Sequence, residues 1–92
     1  MKKRLHIIIT GRVQGVFFRQ HIQDNARPLE VTGWVRNTAN GGVEAVLEGE
    51  EEALQKMIAY CRKGPLHASV ETVKDEWQDY IEEFEEFEIR YT

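Results

Sequence analysis

The sequence predicts an α+β domain: an antiparallel four-stranded sheet, two helices on one of its faces, and a short fifth strand at the C-terminal end. Three observations lead there. Strand-like stretches, β-branched or alternating in polarity, are separated by two stretches of helical period. Their order along the chain is β-α-β-β-α-β. The breaks between them carry glycine or proline.

The first strand is Leu5 to Thr10, whose near-continuous aliphatic run predicts a central strand covered on at least part of both faces. Gly11 to Val16 interrupts it with two glycines and no helical period. A helix follows from Phe17 to about Arg27, with Phe18, Ile22 and Ala26 recurring every fourth residue as one apolar stripe. Pro28 ends it, because the residue before a proline disfavours helical dihedrals.

Val31 to Asn37 alternates, with Val31, Gly33 and Val35 on one side and Thr32, Trp34 and Arg36 on the other. Thr38 to Gly42 reads as a turn in which Asn40-Gly41 can take positive φ. Val43 to Glu48 alternates again, so the two strands form a hairpin that Gly49 closes. The second helix is Glu50 to Lys63, with Leu54, Met57, Ile58 and Cys61 on one stripe. Glutamates crowd its start and Arg62 and Lys63 its end, each favoured by the helix dipole. Gly64-Pro65 stops it. Ser69 to about Trp77 is the fourth strand and Phe87 to Tyr91 the short last one. Two right-handed β-α-β crossovers interleaved in this way give the ferredoxin-like fold. That fold hosts many unrelated activities and does not by itself name one.

At 92 residues the chain suffices for one domain, residues 1–92, with one core, so a site is expected at a loop or a sheet edge. Cys61 is the single cysteine, which excludes a disulfide within the chain, and its place on the apolar stripe predicts a buried thiol. The apolar run Ile7 to Ile9 is too short for a secretion signal, and no stretch approaches membrane-spanning length. A cytoplasmic protein without a membrane association is expected.

Residues 1–40 carry seven basic side chains against two acidic, a net of +5, and residues 41–92 carry five against fourteen, a net of −9. The overall charge of −4 argues against nucleic acid as a partner, whereas the positive first half suits a small anion. Most of the glutamates of the second half read as a solvated surface. His6, His21 and His67 show no ligand spacing and read as structural or surface residues. No metal and no cofactor is expected. Trp34 and Trp77 are expected in the core.

The informative segment is Gly11-Arg12-Val13-Gln14-Gly15-Val16-Phe17-Phe18-Arg19. It leaves a central strand, crosses a glycine-containing loop and enters a helix. Successive N–H groups of such a loop can converge on one anion, with the helix N-terminus adding partial positive charge. Arg19, in the first helical turn, can reach the same anion and grip two oxygens at once. The loop has neither the Gly-Lys-Ser/Thr of a nucleotide-binding loop nor the third glycine of a dinucleotide fingerprint, so it reads as a site for one phosphate. A tight βα turn with a surface arginine is the alternative, as is a plain turn residue for Asn37.

This segment matches at each fixed position the pattern Gly-x-Val-Gln-Gly-Val-x-Phe-Arg of the acylphosphatases. Gly33-Trp34-Val35-Arg36-Asn37 and Gly41-Gly42-Val43-Glu44 resemble a second stretch of that family, in the same order and spacing. The likeness continues through Glu48-Gly49 and Gly64-Pro65. It implies a hydrolase of small acyl phosphates that releases inorganic phosphate and works as a monomer without metal. It further implies that Arg19 and Asn37 are catalytic and that N–H groups of Gln14, Gly15, Val16, Phe17, Phe18 and Arg19 cradle the phosphate. An RNA-binding module would need aromatic and basic residues on the central strands, and the first strand is aliphatic. A silent regulatory domain of the same fold would bind phosphate without turnover. The sequence departs from the family at Leu29-Glu30-Val31, where Glu30 replaces the usual glycine, and at Asn40-Gly41 in place of Asp-Gly.

Overall fold

The computed structural model describes residues 1–91. Its elements are β1 (Lys2–Arg12), α1 (Phe18–Ala26), a 3-10 turn (Arg27–Leu29), β2 (Thr32–Asn37), β3 (Val43–Glu50), α2 (Glu51–Lys63), β4 (Ser69–Gln78) and β5 (Phe87–Arg90). The strands form one sheet in the order β4-β1-β3-β2-β5. β1 pairs antiparallel with β3 and β4, and β3 antiparallel with β2. β5 joins the far edge parallel to β2, which completes a mixed five-stranded sheet. The fold is the expected ferredoxin-like α+β sandwich with its short fifth strand.

Side-chain alternation assigns the faces. Leu5, Ile7 and Ile9 of β1 stand opposite Leu47, Ala45 and Val43 of β3, and Val35 of β2 stands opposite Ala45. All are buried, in one cluster with Phe18, Ile22 and Ala26 of α1 and Leu54, Met57, Ile58 and Cys61 of α2. Both helical stripes therefore close on the same face of the sheet. Burial pushes the Cys61 thiol up to about 12, which leaves it a packing group.

The opposite face is polar and half covered. There His6 bonds Glu44 at 2.7 Å and Arg36 bonds Glu44 at 2.6 Å, with Ile8 half-buried on the same side of β1. β1 is thus central and partly covered on both faces, as its aliphatic run predicts. Trp34 lies on this face too, with the Arg36 and Arg90 guanidinium groups 5.7 and 4.9 Å from its ring. Trp77 is 37% exposed on the edge strand β4. The expectation of two core tryptophans is therefore corrected. Trp34 is in phase with Thr32 and Arg36, away from the helices.

Several boundaries differ from the sequence reading for local reasons. The first helix ends at Ala26, and Pro28 sits inside a 3-10 turn, whose start needs no proline N–H. Gly41 alone takes positive φ in the hairpin turn, at 93°. β3 runs through Gly49 to Glu50 and passes directly into α2. Glu48 departs from the solvated surface expected for the acidic half, since it is only 1% exposed. It lies on the helix-free face under residues 79–86, the crossing that carries the chain from β4 at one sheet edge to β5 at the other.

Candidate active site

The segment between β1 and α1 is anchored by alternate side chains. Val13, Val16 and Phe18 are buried in the core, while Gly15 and Phe17 face outward. The β1–β4 register shifts between Thr10 and Gly11, a bulge of the kind that re-aims a strand as it leaves the sheet. A Cβ at Gly11 would come 2.3 Å from the carbonyl oxygen of Ser69, so only glycine passes there. Gly15 takes φ 74° and Phe17, the residue before α1, takes φ 63° and ψ 32°. Left-handed φ at a bulky aromatic is unusual and points to a constraint on the loop.

Gln14 explains how the loop and the hairpin hold together. Its side-chain amide donates to the carbonyl oxygens of Thr38 at 2.8 Å and Gly42 at 2.9 Å. The Thr38 N–H in turn donates to Gly42 O at 2.9 Å, and the Gly42 N–H to Thr38 Oγ1 at 3.0 Å. The turn that follows Asn37 is thereby tied to the loop that precedes Arg19.

A pocket of about 470 Å³ opens between them. Gly15, Phe17, Phe18 and Arg19 line it from the loop and α1, and Asn37 lines it from the end of β2. Five of the seven residues singled out from the sequence thus meet at one cavity. The other two side chains do not enter it. Gln14 reaches to the hairpin turn, and Val16 packs in the core.

β5 supplies what the sequence reading missed. Ile89 and Tyr91 also line the pocket, and the Tyr91 ring lies 4.7 Å from the Arg19 guanidinium. The parallel register pairs Arg36 with Arg90, so Asn37 and Tyr91 come one residue further along neighbouring chain segments. The signal for a strand was present in Phe87 to Tyr91, but not its partner.

Charge in the pocket is cationic. Among the described residues the arginines in ion pairs are Arg4, Arg36 and Arg90, and Arg19 is not one of them. His6 is committed to Glu44 on the far face, His21 sits edge-on between Phe18 and Tyr60, and His67 is exposed between α2 and β4. Among the described residues no group of three or more His, Cys, Asp or Glu is placed to hold a metal ion. None of the described helices is long and apolar enough to cross a membrane.

Fold and pocket together define an α+β sandwich with one arginine and one asparagine facing a cavity at the β1–α1 junction. Comparison with known proteins makes the class specific. The acylphosphatase family model matches residues 5–89. The chain is 46% identical over 90 residues to an acylphosphatase of Pelotomaculum thermopropionicum, covering 98% of each. It is 53% identical over 75 residues to one of Roseiflexus sp., covering 82% of this chain and 81% of the relative. The crystal structure of acylphosphatase from Bacillus subtilis superposes with a TM-score of 0.93 at 35% identity, covering 99% of this chain and all of that one. The chain belongs to the acylphosphatase family.

Proposed function

We propose that this protein hydrolyses the carboxyl-phosphate bond of acyl phosphates without a metal ion, with Arg19 gripping the phosphoryl group and Asn37 placing the attacking water. The observation that carries the reading is the presence of Arg19 and Asn37 on one pocket, from elements far apart in the sequence. The loop supports it. Positive φ at Gly15 and Phe17, with Val16 between them outside that region, is an alternation that turns successive N–H groups toward one side. N–H groups of residues 14–19 and the N-terminal end of α1 would then face the phosphoryl oxygens.

The chemistry asks little else of the protein. The water oxygen forms a bond to phosphorus in line with the leaving group, and the P–O bond to the acyl group breaks with its electron pair left on a weakly basic carboxylate. The water proton passes to a phosphoryl oxygen, so the products are a carboxylate and inorganic phosphate. A good leaving group removes the need for a placed acid. Arg19 offsets charge on the equatorial oxygens, and the Asn37 amide accepts one hydrogen bond from water and donates another. The fixed distance between loop and hairpin, held by Gln14, supplies the positioning.

The test is hydrolysis of a small acyl phosphate in buffer containing EDTA, with an ordinary phosphate monoester for comparison. Turnover of the acyl phosphate alone is expected. Inactivation by EDTA that a divalent cation reverses would remove the metal-free mechanism. Phosphate binding without turnover would leave a silent domain of the same fold.

A further inference from the structure

Phe17 is placed at a disadvantage that the fold does not require. Its φ of 63° is unfavourable for a side chain of this size, and the residue is 83% exposed. Asparagine or glycine would serve the backbone better and would present no apolar surface to water. The ring nevertheless lines the pocket, and so does Tyr91, itself 78% exposed and stacked on Arg19. With Ile89 they make one side of the cavity aromatic and aliphatic, around a single guanidinium. A phosphoryl group held by Arg19 fills only a fraction of about 470 Å³, and the remaining space borders these rings.

We infer that Phe17 and Tyr91 form the acyl-binding wall of the site, so that these two rings set how far an apolar acyl group is favoured over a small one. The inference rests on the acyl phosphate reading and assigns the residues that discriminate among acyl groups within it. Phosphate and acyl group are recognised by opposite chemistries on adjacent surfaces. Arg19 takes the charged end. The rings lose water when an apolar acyl group covers them, which recovers the hydration cost of their exposure. The Tyr91 ring serves both ends, since the face turned to Arg19 also holds the guanidinium in place.

The experiment compares kcat/KM for benzoyl phosphate and acetyl phosphate, each scaled to its spontaneous hydrolysis rate, together with inhibition by inorganic phosphate. The intact chain is compared with F17N, F17Y and Y91A. Asparagine tolerates left-handed φ, so F17N removes the ring without displacing the loop. The parent should favour benzoyl phosphate. F17N and Y91A should each lower the benzoyl-to-acetyl ratio by about tenfold, the scale of one lost apolar contact. The loss should fall on KM, and F17Y should restore the ratio. An unchanged ratio in F17N and Y91A overturns the assignment. So does a loss in F17N shared equally by both substrates and by phosphate inhibition, because that is loop distortion. Absence of turnover of either substrate by the parent instead removes the acyl phosphate reading itself, and this inference with it.

Discussion

The Glu48 carboxylate accepts the backbone N–H of Ile81 at 2.9 Å, joining β3 to the crossing segment that leads into β5. The same carboxylate accepts the Glu83 N–H at 2.9 Å and pairs with Arg4 at 3.3 Å. Burial raises its pKa, but the two backbone N–H groups and Arg4 together outweigh that and leave it below the ordinary 4.5. One buried charge therefore holds the segment that delivers Ile89 and Tyr91 to the pocket.

Glu48→Gln should destabilise the fold by about 1–3 kcal/mol, because the amide turns an NH2 group toward a backbone donor that loses its acceptor. Chemical denaturation would measure the difference. A depressed folded-state pKa adds stability that is present above the unfolded-state value and is lost as pH falls through the folded-state one. The parent should accordingly lose stability below about pH 4.5, and part of that acid dependence should disappear in the variant. Equal acid sensitivity of the two proteins would show that Glu48 is not its source.

Glu30→Gly should raise stability. Glu30 stands at φ 57° and ψ 31°, just past the 3-10 turn, where its N–H donates to Arg27 O and the Val31 N–H to Ala26 O, both at 3.0 Å. The chain has made a glycine-type helix ending with a Cβ present, at a cost of about 1 kcal/mol. Thermal unfolding should shift upward by roughly 4–8 °C, the response of a domain this small to that energy. A lower melting temperature would mean that the added freedom of the unfolded chain outweighs the relieved strain.

Arg19 and Asn37 should separate by role. Arg19→Gln should abolish most turnover and weaken inhibition by inorganic phosphate, and Arg19→Lys should not rescue it, since a point charge lacks the two-pronged geometry. Asn37→Ala should lower turnover by about a hundredfold or more while phosphate inhibition stays within a few-fold of the parent. Both variants should remain folded, because neither side chain is buried in the core. The division of labour fails if Asn37→Ala loses phosphate as severely as Arg19→Gln.

Much of the candidate site was legible in the sequence because its parts are local. A strand, a glycine loop and a helix start are each written within a few residues, and Gly11 to Arg19 contains all three. Helical stripes were legible for the same reason: Phe18, Ile22 and Ala26 repeat at the period that geometry imposes, and all three are buried. The positive φ at Glu30 was flagged by the family resemblance, which puts glycine where this chain has glutamate just past a helix end.

Tertiary structure decided whatever depends on which distant segment arrives as neighbour. Residues 87–91 could be read as a strand, but only sheet assembly sets them parallel to β2 and brings Tyr91 onto Arg19. Glu48 looks like any glutamate of an alternating strand until the 79–86 crossing covers it and its N–H groups make a buried charge tolerable. Trp34 belongs by phase to the helix-free face, where two guanidinium groups rather than a core receive it. Periodicity assigns a residue to a face of its own element. What lies against that face is set by packing between elements dozens of residues apart, where the energies of burial and charge are determined.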